Sequence, residues 1–131
     1  MRDSVPEPTA APHRPGGGPD VGRLRVELRT AGTAVVVSPV GELDYDSTAL
    51  LRERLHEAIG QPQERVVVDC RGLSFCDSTG LNLLLNTRTE AERAHVALIL
   101  ADLQPAVARV FEVTGARAVF DIRADVGAAL V

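Results

Sequence analysis

Hydrophobic and polar positions along this chain change period several times, and each change marks an element. Leu24, Val26 and Leu28 alternate with Arg25, Glu27 and Arg29, the two-residue period of a half-exposed strand. Ala34 to Val37 is continuously apolar and predicts a second, more buried strand, with Ala31-Gly32-Thr33 as the hairpin turn between them. Asp46 or Ser47 can cap a helix that carries Leu50, Leu51, Leu55, Ala58 and Ile59 on one side and stops at Gly60 and Pro62. The β-branched run Val66-Val67-Val68 sits inside a third strand, Arg65 to Cys70, suited to a sheet buried on both faces. After a short loop, Leu81, Leu84, Leu85 and Arg88 recur at helical spacing in a helix that runs to about Ala94. His95 to Leu100, apolar except for His95, predicts a fourth strand. Pro105 suits the first turn of a third helix bearing Val107, Val110 and Phe111 and ended by Gly115; Val119 to Ile122 and Ala124 to Leu130 supply a last strand and helix.

Strands alternating with helices, joined by short connections, predict right-handed βαβ units on one sheet. The expected fold class is α/β: a single domain with a mixed central sheet of about five strands and about four helices. With 131 residues and 45% hydrophobic content, the chain can bury one core and hardly two. Residues 1–22 hold five prolines and Gly16-Gly17-Gly18 but almost no large apolar side chain, so they are expected to form a disordered tail ahead of a domain at 23–131.

Charge and composition narrow the chemistry. A net charge of −4, with arginines interspersed among Asp and Glu, argues against a nucleic-acid face, and 3% aromatic residues without Trp argue against base-stacking platforms. No apolar run is long enough to span a bilayer and the N-terminus lacks the features of a secretory signal, so a cytoplasmic location without membrane attachment is expected. Cys70 and Cys76, the two cysteines, do not combine with His13, His56 and His95 into a zinc spacing; both are expected to be reduced, and no metal or other cofactor is expected.

The junction Leu73-Ser74-Phe75-Cys76-Asp77-Ser78-Thr79-Gly80-Leu81, between the third strand and the second helix, concentrates the candidate chemistry. Ser78 falls at a helix N-terminus, where unpaired backbone N–H groups and partial positive charge would receive the oxygens of a phosphoryl group. The competing reading makes Asp77, Ser78 and Thr79 capping residues only. Gly80 likewise has two readings: close approach of a partner, or close packing against the chain's own neighbouring loop. An enzymatic role for Ser78 needs a general base, and none of the three histidines falls near it; Gly-x-Ser-x-Gly and a phosphate-binding glycine loop are also missing. The protein is therefore not expected to be an enzyme.

Asp77-Ser78-Thr79-Gly80-Leu81, preceded by Leu73-Ser74-Phe75 and by Gly41-Glu42-Leu43-Asp44, resembles the STAS family of anti-sigma factor antagonists over residues 23–131. The resemblance implies a STAS domain whose Ser78 is phosphorylated by an anti-sigma factor, a serine/threonine kinase. It further implies that the unphosphorylated form binds that kinase and frees a sigma factor, that phosphorylation reverses this, and that a phosphoserine phosphatase resets the cycle. Asp44, Asp77, Ser78, Thr79 and Gly80 are the partner-binding positions it points to. Asp44 has a bracing alternative, and Asp69 is expected to accept a backbone hydrogen bond or to join the acidic surface. The alternative function is a STAS interaction module of another assembly: a stressosome-like scaffold, a lipid-transport complex or a nucleotide sensor.

Overall fold

In a computed structural model, residues 23–131 are described; the tail expected at 1–22 lies outside the described residues. Six strands and four α-helices follow in the order β1 (Arg25–Ala31), β2 (Ala34–Leu43), α1 (Thr48–Ile59), β3 (Arg65–Asp69), β4 (Leu73–Cys76), α2 (Ser78–Arg93), β5 (Ala97–Ala101), α3 (Pro105–Thr114), β6 (Asp121–Arg123) and α4 (Val126–Ala129), with a 3₁₀ turn at Ala116–Ala118 before β6. β1 and β2 form the antiparallel hairpin around Gly32, whose φ of 62° suits glycine. β2, β3, β5 and β6 are parallel and adjacent in that order, so the expected mixed α/β sheet is present.

Because the parallel strands are added in one direction, right-handed crossovers put α1, α2 and α3 on the same face. There Leu51, Leu55, Leu81, Leu84, Val107 and Phe111 pack with Val35, Val37, Val66, Val68 and Leu100. The opposite face holds a smaller cluster, Val36, Val67, Ile99, Ala101 and Ala129, covered in part by α4. Val66, Val67 and Val68 are thus buried on alternate sides of one strand, which is why that run carries no polar alternation.

The sixth strand is the one the sequence pattern did not reveal. β4 lies in the segment read as a loop, and it pairs with the far end of β2, past the stretch that β3 occupies. Its burial runs buried, exposed, exposed, buried, so neither strand nor helix period shows in its four residues. Elsewhere the structure trims boundaries. His95 is not in the fourth strand: with φ 59° it turns the chain between α2 and β5. Val119 belongs to the turn before β6, and α4 is confined to four residues.

Candidate functional site

The site is built where β2 and β4 end side by side. Leu43 of β2 is in register with Cys76 of β4, and the Asp77 backbone N–H donates to the Leu43 carbonyl at 3.1 Å. That pairing brings the loop after β2, with Asp44, against the first turn of α2, with Asp77 to Gly80. Two motifs about thirty residues apart thereby share one surface at the carboxyl ends of strands, where α/β sheets place sites.

Asp77 is the N-cap of the sixteen-residue helix α2. Its Oδ1 accepts from the Gly80 backbone N–H at 2.9 Å and from the Thr79 hydroxyl at 2.6 Å. Burial pushes its pKa upward, but hydrogen bonds from the Thr79 hydroxyl and from the backbone N–H groups of Gly80, Tyr45 and Thr79 outweigh that and hold it below the ordinary carboxylate value. Thr79 is half-buried and its hydroxyl is committed. Ser78, the first helical residue, is exposed and takes no part in this capping network.

Gly80 is decided by its surroundings. A Cβ there would stand 2.7 Å from Leu43 Cγ, 2.9 Å from Leu43 Cδ2 and 3.1 Å from Cys76 Sγ. The residue is buried, and close packing against the chain's own β2 and β4 accounts for the need for glycine there.

Asp44 organises its own loop. Its Oδ1 accepts from the backbone N–H groups of Asp46 at 3.1 Å and Ser47 at 3.2 Å, an Asx-type turn that leads into α1. The Ser47 hydroxyl, nominally at the N-cap of α1, makes no capping bond to the helix; it accepts from the Asp44 N–H at 2.9 Å and lies 3.0 Å from the Glu42 carbonyl. Asp44 also lines a groove of about 580 Å³ with Arg23, Leu24, Glu42, Asp46, Ser47 and Leu50. Asp69 is elsewhere: it accepts from the Arg71 N–H at 3.1 Å and lines a different cleft with Arg29, Asp102 and Asp125. The acidic surface thus gathers Asp44 but not Asp69.

Both cysteines are free and buried. Burial, and then the charge of Asp69 for Cys70 and of Asp77 for Cys76, pushes each thiol up to about 12. Neither is a nucleophile at neutral pH. Among the described residues, no group of three or more His, Cys, Asp or Glu is arranged to hold a metal ion, and no helix is long and apolar enough to cross a membrane.

Two residues that sequence reasoning passed over stand out on this surface: Tyr45, 76% exposed, and Phe75, 45% exposed. The chain has only four aromatic side chains, and the other two, Phe111 and Phe120, pack against each other in the core in a tilted arrangement with ring centroids 5.4 Å apart. Scarcity of aromatics was the signal available in the sequence, but it does not say which of them are buried.

Comparison with known proteins agrees with this architecture. A family model described as "STAS domain" matches residues 25–129. An anti-sigma F factor antagonist of Lysinibacillus sphaericus is 33% identical over 93 residues, covering 70% of this chain and 79% of that protein. An anti-sigma-B factor antagonist of Bacillus subtilis is 28% identical over 101 residues, covering 77% of this chain and 92% of that protein. Among solved structures, the anti-sigma factor antagonist SpoIIAA in its unphosphorylated form superposes with a TM-score of 0.68 at 28% identity, covering 81% of this chain and 93% of that one. The Bacillus SpoIIAA structure in the phosphorylated form gives 0.63 at 27%, covering 81% and 96%. A sheet that ends in two paired motif loops, a capped helix opening on an exposed serine, and a family match across nearly all the described residues lead to one assignment: the chain belongs to the STAS domain family.

Proposed function

We propose that this protein is an anti-sigma factor antagonist that works by partner exchange through Ser78. With a free Ser78 hydroxyl it binds an anti-sigma factor, itself a serine/threonine kinase, and so releases a sigma factor to transcription. Phosphorylation of Ser78 by that kinase dissolves the complex, and a phosphoserine phosphatase restores it. The chemistry belongs to the kinase and the phosphatase; this chain supplies the substrate hydroxyl and the docking surface, including Asp44, Asp77 and Thr79.

The observation that carries the reading is the state of the hydroxyls. Ser47 and Thr79 are half-buried and engaged with Asp44 and Asp77, whereas Ser78 is exposed at the first position of α2 with capping done by its neighbour. A phosphoryl group there meets the partial positive charge of the α2 N-terminus, so it is accommodated without unwinding the helix. It also adds about −1.5 to −2 charge at pH 7 beside Asp77, which opposes close packing of a partner. The names of the relatives support the same role, as does the existence of SpoIIAA in both an unphosphorylated and a phosphorylated form.

The test is capture from the native cells with two variants. Ser78→Ala is expected to retain a serine-kinase anti-sigma factor and Ser78→Asp to lose it. Equal retention by both, or capture of a scaffold or transporter in place of the kinase, contradicts the proposal.

A further inference from the structure

Phe75 is exposed because the strand that carries it is bulged. Between β2 and β4, Gly41 is in register with Leu73 and Glu42 with Phe75, one step on β2 against two on β4, which leaves Ser74 as the extra residue. In a regular strand Phe75 would follow Leu73 to the same, buried face. The bulge breaks that alternation: Leu73 and Cys76 are buried, while Ser74 and Phe75 are turned outward. Local groups hold the distortion in place. The Ser74 hydroxyl donates to the Gly41 carbonyl at 3.1 Å, and Gly41 has φ 124°, with a hypothetical Cβ only 2.3 Å from the Arg23 carbonyl oxygen. The bulge thus presents one aromatic ring to solvent, three residues before Ser78.

Tyr45 presents the second ring from the other motif loop. It stands two residues after Leu43, whose carbonyl accepts from the Asp77 N–H, and Phe75 stands two residues before Asp77, so both aromatics flank the pairing that leads into α2. Beside them the groove floor is acidic: Glu42, Asp44 and Asp46 against the single guanidinium of Arg23 among the described residues. Two rigidly based aromatics next to a net negative rim have the make-up of an interface anchor with an electrostatic guide.

We infer that Tyr45 and Phe75 are the anchoring side chains on which the anti-sigma factor docks, entering apolar pockets of that protein while Glu42, Asp44 and Asp46 face its basic residues. This rests on the proposed function and names the residues that give it affinity. It also gives phosphorylation a local target, because a phosphate on Ser78, three residues after Phe75, makes the acidic surface still more negative.

The experiment takes the kinase captured with the Ser78→Ala variant, produces it in recombinant form and titrates it against full-length variants by calorimetry. Tyr45→Ala and Phe75→Ala are each expected to weaken binding by about tenfold or more, and Tyr45→Phe to retain most of the affinity. Glu42→Gln combined with Asp46→Asn is expected to flatten the loss of affinity with rising salt. Thermal melting controls for folding; since Tyr45 is 76% exposed, its variant remains informative if Phe75→Ala disturbs the bulge. Wild-type affinity in both alanine variants overturns the docking assignment and leaves the proposed function standing. Failure of the Ser78→Ala protein to capture any anti-sigma factor kinase removes the function and, with it, this inference.

Discussion

Two helix starts lie side by side at the working end of the sheet, and they use the same residue types differently. At α1, Asp44 and Ser47 bond to each other and to the backbone of their own loop, and the serine hydroxyl is consumed in holding the turn. At α2, Asp77 carries the cap with Thr79 as its hydroxyl partner, and Ser78 is left exposed. An Asp followed by a hydroxyl residue is therefore not sufficient to mark a modification site. What distinguishes the second start is that the capping function is assigned to Asp77 and so does not occupy Ser78.

Predictions that strain this comparison begin with the largest effect. Ser78→Asp should weaken binding to the kinase by about a hundredfold or more, since like-charge juxtaposition costs several kcal/mol, while circular dichroism shows an unchanged helix content. A large loss of helical signal would place Ser78 in the fold after all, as Ser47 is.

Gly80→Ala comes next. On helix propensity alone the change would stabilise by about 1 kcal/mol, but the new methyl meets Leu43 and Cys76 at 2.7 to 3.1 Å. Overpacking of this kind costs about 1 to 3 kcal/mol, so denaturant unfolding should show a net destabilisation. A more stable variant would reopen the reading of Gly80 as room for a partner.

Asp77→Ala should cost about 0.5 to 2 kcal/mol through the lost cap, with a defined pH dependence. The Asp77 pKa is lowered in the fold from its ordinary 3.8, so its contribution is complete above that value and fades as the pH falls through the lower folded one. Wild type and Asp77→Ala should therefore converge in stability on acidification; a constant difference down to pH 2 would show that the carboxylate charge is not what caps α2.

Ser47→Ala should cost about 1 kcal/mol, the worth of a typical hydrogen bond, and leave phosphorylation intact, whereas Ser78→Ala should leave stability intact and abolish phosphorylation. That crossed pattern, read by thermal melting and by phosphate incorporation, sharpens the contrast between the two starts. The smallest effect concerns the thiols: with both raised to about 12, Cys70 and Cys76 should resist alkylation at pH 8 until the protein unfolds.

The long, strongly patterned elements were legible in the sequence because one physical rule governs each. Val66 to Val68 is apolar on both sides since both faces of the sheet are covered, and Leu81 and Leu84 follow the helical period since one side of α2 packs on the sheet. The cap at Asp77 was readable for the same reason. β4 was not, because its bulge breaks the two-residue period that identifies strands, and pairing with the far end of β2 is a non-local choice. Gly80 had two readings until Leu43, far away in sequence, was seen beneath it. The exposure of Phe75 follows from that same bulge, so the sequence hid the strand and the aromatic surface together.

The central claim is that one hydroxyl among neighbours is free to be modified, and phosphosite mass spectrometry on protein from its native cells tests it most directly, with peptides that resolve Ser47, Ser74, Ser78 and Thr79. Phosphate confined to Ser78, in a preparation from which a serine-kinase anti-sigma factor is also recovered, is the predicted result. Phosphate on Thr79 or Ser47, or an unmodified Ser78 in every growth condition with that kinase present, would contradict it.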